Sequence, residues 1–199
     1  KWNLTKQHDG IISFPGNNDG GIYSKSPRLD TKSANYRDVT LMLKDPNPDN
    51  HFNVDLQFGF GTATFKAGII LDGGKYKIRD VKGSLNSTWN KYDLLSDEAI
   101  AKIKGENGSK GLEFRLAIVG TTAKAYVEGE EVKTWDLDAT VVANSTAQVS
   151  IWVECSSNYT VEIPFTLGGE PTTANINIDE NITNGTITTD KDLTTESYI

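Results

Sequence analysis

Long apolar runs are missing from this chain. No stretch approaches the ~20 consecutive apolar residues that a spanning helix needs, so no helical membrane insertion is expected. Sulfur is scarce. The single cysteine, Cys155, excludes an intrachain disulfide and leaves nothing that matches a cysteine-based metal site. The two histidines, His8 and His51, are too few and too isolated for a nucleophile triad or a zinc site. Positive charge is in deficit. Twenty Lys and Arg stand against 27 Asp and Glu, a net charge of −7, which argues against nucleic acid as a partner. No glycine-rich phosphate loop occurs, because the Gly pairs sit in hairpin-turn contexts.

What the chain does have is alternation. Within its 199 residues, 37% hydrophobic, apolar and polar side chains trade places every second residue, the period of a strand with one buried face. In residues 51–60, Val54, Leu56, Phe58 and Phe60 share one face. Asn53, Asp55 and Gln57 share the other; they are types suited to sugar hydroxyls but also read as a plain solvated face. Residues 36–44 alternate through Val39, Leu41 and Leu43, and the prolines of 44–50 end that strand. Residues 66–72 and 75–80 form a hairpin around Asp72-Gly73-Gly74.

Residues 111–136 read as three antiparallel strands. Their first turn places Leu116 opposite Ala125 and Phe114 opposite Val127, with Arg115 beside Tyr126 on the other face. A second tight turn at Gly129 keeps Lys133 and Trp135 on the Tyr126 face. Residues 146–167 read as a further hairpin turning at 156–158, with Val153 facing Val161 and Trp152 outside the main core near Glu162. Pro164 marks an edge or a bulge there. The helical pattern is confined to 97–104, with Ser96 as N-cap, Asp97 and Glu98 in the first turn, Lys102 and Lys104 in the last, and Gly105 as the stop. Many strands and one short helix predict an all-β, two-sheet antiparallel sandwich.

The strand–turn pattern ending in Tyr126-Val-Glu-Gly-Glu-Glu-Val132 resembles the concanavalin A-like and laminin G-like jelly rolls. The opening residues 1–16 resemble the first strand and turn of bacterial concanavalin A-like modules. The resemblance covers most of 1–168 and implies a jelly-roll domain there. Composition changes at Gly168-Gly169. Residues 169–199 read as a linker and a β-rich extension, in which Asn175–Lys191 resembles the start of a repeat module of bacterial surface proteins. The chain therefore reads as a piece of a longer protein with neighbouring modules.

Some concanavalin A-like folds are glucanases, which place carboxylates two apart along one strand, as Glu-x-Asp-x-Glu. That pattern does not occur here. Asp136 and Asp138 lack a third acid, and Asp55 and Glu154 stand alone, so the chain is expected not to be an enzyme. Sugars bind by stacking on Trp or Tyr, with amides, carboxylates and Arg taking the hydroxyls. The candidate carbohydrate-binding residues are accordingly Arg115, Tyr126, Trp135, Gln148, Trp152, Glu154 and Trp89. Asn17 and Asp19 are candidate calcium ligands in a loop that lacks the spacing of a known calcium motif. Asn, Thr, Ser and Gly are abundant, and the seven Asn-x-Ser/Thr sequons follow from that richness. The expectation is a non-catalytic, lectin-like module of a secreted or wall-attached bacterial protein, binding a glycan or cell-surface polysaccharide. The rivals are a structural or adhesive spacer and a glycoside hydrolase with a dispersed acid pair.

Overall fold

The structure is a computed structural model, and it describes residues 8–14, 28–32, 36–45, 52–60, 63–82, 88–139, 148–155, 161–169, 175–178 and 186–189. Among these, alternation has produced two antiparallel sheets. The first runs, in spatial order, β10 (Glu130–Asp136), β9 (Thr122–Val127), β8 (Leu112–Val119), β3 (Tyr36–Leu43), β12 (Val161–Gly169), β1 (His8–Phe14) and β14 (Thr186–Thr189). The second runs β13 (Asn175–Ile178), β2 (Arg28–Lys32), β11 (Gln148–Cys155), β4 (Phe52–Phe60), β5 (Ala63–Asp72), β6 (Lys75–Lys82) and β7 (Asn90–Tyr92). Strands β13 and β14, from beyond Gly169, pair with β2 and β1.

The core lies between the sheets, where the expected inward residues are found. Val54, Leu56 and Phe58 of β4 register with Ile69, Ala67 and Phe65 of β5, and all six are buried. Val39 and Leu41 of β3 register with Leu116 and Phe114 of β8, also buried. Each such large apolar side chain contributes about 1.5–3 kcal/mol by leaving water. The predicted pairs Leu116–Ala125, Phe114–Val127 and Arg115–Tyr126 all occur.

The helix α1 spans Asp97–Lys104 as its signals require. Ser96 Oγ accepts from the Ala99 N–H at 3.2 Å, and Gly105 ends it at φ 72°. Ala99 and Ile103 are its buried face. Two further bonds hold it to the first sheet. The Asp45 N–H donates to Ile103 O at 2.7 Å, and Lys102 reaches Glu128 at 2.5 Å.

Two expectations fail. Residues 146–167 are not a hairpin: Val153 of β11 lies opposite Val54 in the second sheet, and Val161 of β12 lies opposite Phe14 in the first. Glu162 is therefore not the neighbour of Trp152. Alternation tells which face is apolar, and a crossover between sheets satisfies it as well as a hairpin does. Pro164 lies in an interior strand, at the point where pairing of β12 with β3 has stopped; that pairing begins at Phe165. The missing N–H is tolerated there.

The second failure concerns Trp135. Glu128 and Gly129 both have positive φ, 52° and 84°, as a two-residue type I′ turn requires. A regular ladder after that turn would put Trp135 outside. Instead the register slips between Glu131 and Lys133, so that Lys133 opposes Ala125 and Trp135 opposes Ala123. One bulged residue reverses the parity of all that follows. Trp135 turns into the core, 5% exposed, with its ring 5.3 Å from that of Phe65. Lys133 lies over the Tyr92 ring at 4.2 Å. The bulge and the charged side chains of β10 also disfavour pairing with another strand at this edge.

Candidate functional site

Sandwich geometry leaves two outer faces, and the predicted residues divide between them. On the first sheet, Arg115 and Tyr126 stand side by side, the guanidinium 5.0 Å from the ring centre. Arg115 also forks onto Asp38, at 2.8 Å through Nε and 2.6 Å through Nη2. The bond from Asp38 raises the Arg115 pKa above its ordinary value, with burial opposing. A polar hollow of about 300 Å³ opens here, lined by Asp38, Thr40, Glu113, Arg115, Thr166 and Gly168. Next to it, Lys124 bonds Glu131 at 2.9 Å. The bonds from Thr134 and Lys124 lower the pKa of Glu131.

The outer face of the second sheet is different in kind. Five of its polar residues are buried although they face away from the core: Asn53, Asp55, Lys66, Arg79 and Ser150 are each at most 9% exposed. Register brings them together. Trp152 of β11 opposes Asp55 of β4, Asp55 opposes Gly68 of β5, Gly68 opposes Arg79 of β6, and Arg79 opposes Lys91 of β7. Arg79 reaches over β5 to grip Asp55 with both Nε, at 2.9 Å, and Nη2. The reach depends on Gly68. A Cβ there would lie 1.9 Å from Val54 O and 2.8 Å from Asp55 Oδ1, so any side chain would collide with the carboxylate and its strand.

Tryptophans flank this pair. Trp89, just before β7, is half-buried and lies over the Arg79 guanidinium at 4.0 Å. Trp152, also half-buried, has Lys66 Nζ 5.8 Å from its ring centre. One row away, Asn53 Nδ2 donates to Glu154 Oε2 at 3.2 Å. Burial pushes the Asp55 carboxyl above its ordinary pKa. Arg79's bond and charge pull it back, and the neighbouring Glu154 charge adds to the rise.

The sequence-based site is thus broken up. Arg115 and Tyr126 share one face; Trp89, Trp152 and Glu154 share the other; Trp135 belongs to neither. Gln148 begins β11 opposite Gly59, and its side chain lies outside the description. Asn17 and Asp19 lie outside the described residues, and among the described residues no group of three acidic, His or Cys side chains is placed to hold a metal ion. Sequence reasoning missed Lys66 and Arg79, which sit in what read simply as a hairpin. It noted Asn53 and Asp55 as types suited to sugar hydroxyls, with a plain solvated face as the alternative. The available signal was parity: Lys66, Gly68 and Arg79 fall on the non-core side of their strands, with a glycine between the two cations.

No family model matches the chain, and no curated protein matches it in sequence. Solved structures resemble it in fold. The chain is similar to a glycoside hydrolase family 16 endo-glucanase from Bacteroides ovatus, with 10% identity over 78% of this chain and 78% of that one and a TM-score of 0.49. It is similar to the laminarinase catalytic domain from Thermotoga maritima, with 9% identity, coverage of 82% and 78%, and a TM-score of 0.49. It is also similar to sheep galectin-11, with 11% identity, coverage of 81% and 99%, and a TM-score of 0.39. The described residues form a mostly β, two-sheet antiparallel jelly-roll sandwich. The expectation that the chain is not an enzyme is corrected: glucanase and laminarinase catalytic domains stand among the similar structures, so this architecture does not set the chain apart from enzymes.

Proposed function

We propose that the chain is a glycan-binding domain and that its binding surface is the outer face of the second sheet. The observation that carries this reading is the set of buried polar residues on a non-core face, Asn53, Asp55, Lys66, Arg79 and Ser150, flanked by the half-buried Trp89 and Trp152. Indole faces offer stacking to sugar C–H groups, and amide, carboxylate and guanidinium groups offer bonds to hydroxyls. A purely solvated strand face would not bury its charges, since burial of a charge is costly unless it is paired.

A glycan array probed with the chain and with Trp89→Ala and Trp152→Ala tests this. Binding by the parent that weakens in both variants supports the reading. Silence across a broad array, or binding that survives both substitutions, removes it. The polar hollow beside Arg115 is the control surface: Arg115→Ala leaves array binding unchanged.

Hydrolysis is the second reading, and one observation favours it. Asp55 and Glu154 stand one diagonal apart on adjacent strands, and diagonal neighbours lie about 7–8 Å apart, Cβ atoms somewhat less, so two carboxylates share one face, as paired glycosidase acids must. Release of reducing ends from a bound glycan, lost in Glu154→Gln with binding retained, decides for it.

We also read the chain as part of an extracellular or cell-surface protein. Its Asn, Thr, Ser and Gly richness and a glycan-facing surface support this. Protease shaving of intact source cells that releases none of its peptides would refute it.

A further inference from the structure

We infer that the groove between α1 and the β9–β10 turn is a docking site for a basic segment of a partner protein, which seats one large apolar side chain there. The inference goes beyond the glycan-binding reading and does not rest on it.

Local chemistry builds the groove. One wall is α1 with the residues just before it, and the other is the end of β9 with the start of β10. The register slip in β10 leaves Val132 without a partner on β9. A bulge re-aims the side chain it carries, and Val132 lines the groove together with Val127. Leu94 and Ala99 line it from the helix side. Ala99 is buried, the two valines are half-buried, and Leu94 is 41% exposed. One exposed leucine is ordinary on a protein surface. Here it belongs to an apolar lining around a space of about 350 Å³, which is the concave form that binding pockets take. A space at the small end of that range suits a single anchor side chain rather than an extended ligand.

The two walls are tied to each other. Lys102 of α1 bonds Glu128 at 2.5 Å, and Glu128 Oε1 accepts from the Glu113 N–H at 2.8 Å. The groove is therefore formed before anything enters it, which lowers the cost of binding.

Charge complementarity selects the occupant. The charged residues of the groove are Glu98, Lys102, Glu128 and Glu130. Lys102 and Glu128 neutralise each other. Glu98 on the helix wall and Glu130 on the hairpin wall are exposed and make no ion pair among the described residues. A carboxylate thus stands free on either side of an apolar floor. The complement is an anchor such as leucine with Lys or Arg on both flanks. An acidic segment would meet like charge on both walls. The bulge in β10 opposes docking by strand addition at this edge, so the partner engages through its side chains.

NMR titration of the isotope-labelled chain with synthetic peptides tests this. The probes are Lys-Arg-Leu-Arg-Lys, the same peptide with Gly in place of Leu, and Glu-Asp-Leu-Asp-Glu. The first is expected to give saturable shifts concentrated at Leu94, Ala99, Val127 and Val132. Replacing its Leu by Gly lowers the affinity at least about tenfold, the worth of one buried leucine. The acidic peptide produces no shifts. Combining Glu98→Gln with Glu130→Gln weakens the basic peptide about fivefold, as two exposed ion pairs allow, while amide signals away from the groove stay in place. Shifts spread over the chain's acidic surface, equal affinity for the Leu and Gly peptides, indifference to the double substitution, or no binding of the basic peptide overturns the inference. None of these outcomes touches the glycan-binding reading, whose residues lie on the other sheet.

Discussion

Both outer faces carry the same device, an arginine forked onto an aspartate with an aromatic ring against the guanidinium. On the first sheet it is Arg115, Asp38 and Tyr126; on the second it is Arg79, Asp55 and Trp89. What differs is water. The Arg115 and Asp38 side chains are 42% and 32% exposed, those of Arg79 and Asp55 only 9% and 13%. An exposed pair gains little, because solvent already satisfies both ions. A buried pair is a commitment, because removing one partner strands the other charge in a poor solvent. The same residue types therefore make a tolerant surface on one side and an ordered, specific one on the other.

The sharpest way to break this contrast is to delete one arginine at a time. Arg79→Ala is expected to cost about 3–5 kcal/mol in chemical denaturation, and Arg115→Ala about 0–1 kcal/mol. Equal costs would mean that the two faces do not differ in kind. Trp135 tests the boundary between face and core. Trp135→Ala is expected to cost about 3–5 kcal/mol and to leave glycan affinity unchanged in the protein that stays folded. A cheap substitution that abolishes binding would return Trp135 to the site.

Glycines supply a subtler pair. A Cβ on Gly68 would strike Val54 O at 1.9 Å, whereas one on Gly168, in the hollow of the first face, would meet Asp38 Cβ at an ordinary 3.4 Å. Gly68→Ala is expected to lose about 1–3 kcal/mol together with the Arg79–Asp55 bond. Gly168→Ala should stay within about 0.5 kcal/mol of the parent by thermal melting.

The smallest effect is in titration. Burial raises the Asp55 pKa and hydrogen bonds lower that of Glu131, so carboxyl NMR should find the first above about 3.9 and the second below about 4.3. The signs for stability are opposite. Asp55 holds its proton more tightly folded than unfolded, so its contribution is present at low pH and is lost as pH rises through its folded pKa. Glu131 contributes above its unfolded pKa and loses that contribution as pH falls through its folded one. Binding follows Asp55: affinity should fall on acidification as its carboxylate releases Arg79.

Much of the fold was legible beforehand. The inward sets of β3, β4, β8 and β9, the Arg115–Tyr126 pair and the capped helix at 97–104 all follow from local periods and cap chemistry. The candidate site was less legible, and for identifiable reasons. Trp135 was misplaced because one bulged residue in β10 reverses the parity behind it. Trp152 and Glu154 were placed on the correct side of their strand, but Trp152 was given Glu162 as its neighbour, and β11 and β12 separate into different sheets.

By itself the order of residues determined which side of β3, β4, β8 and β9 is apolar, where the helix begins and stops, and that acidic side chains outnumber basic ones. Those properties depend on near neighbours and on composition. Only the tertiary structure decided that Arg79 meets Asp55 across Gly68 and that two tryptophans distant in the chain flank them, while a third is buried. Such meetings depend on which strand lies beside which. Backbone ladders join any two strands alike, so the partner is chosen by the packing of the whole core rather than by any local signal.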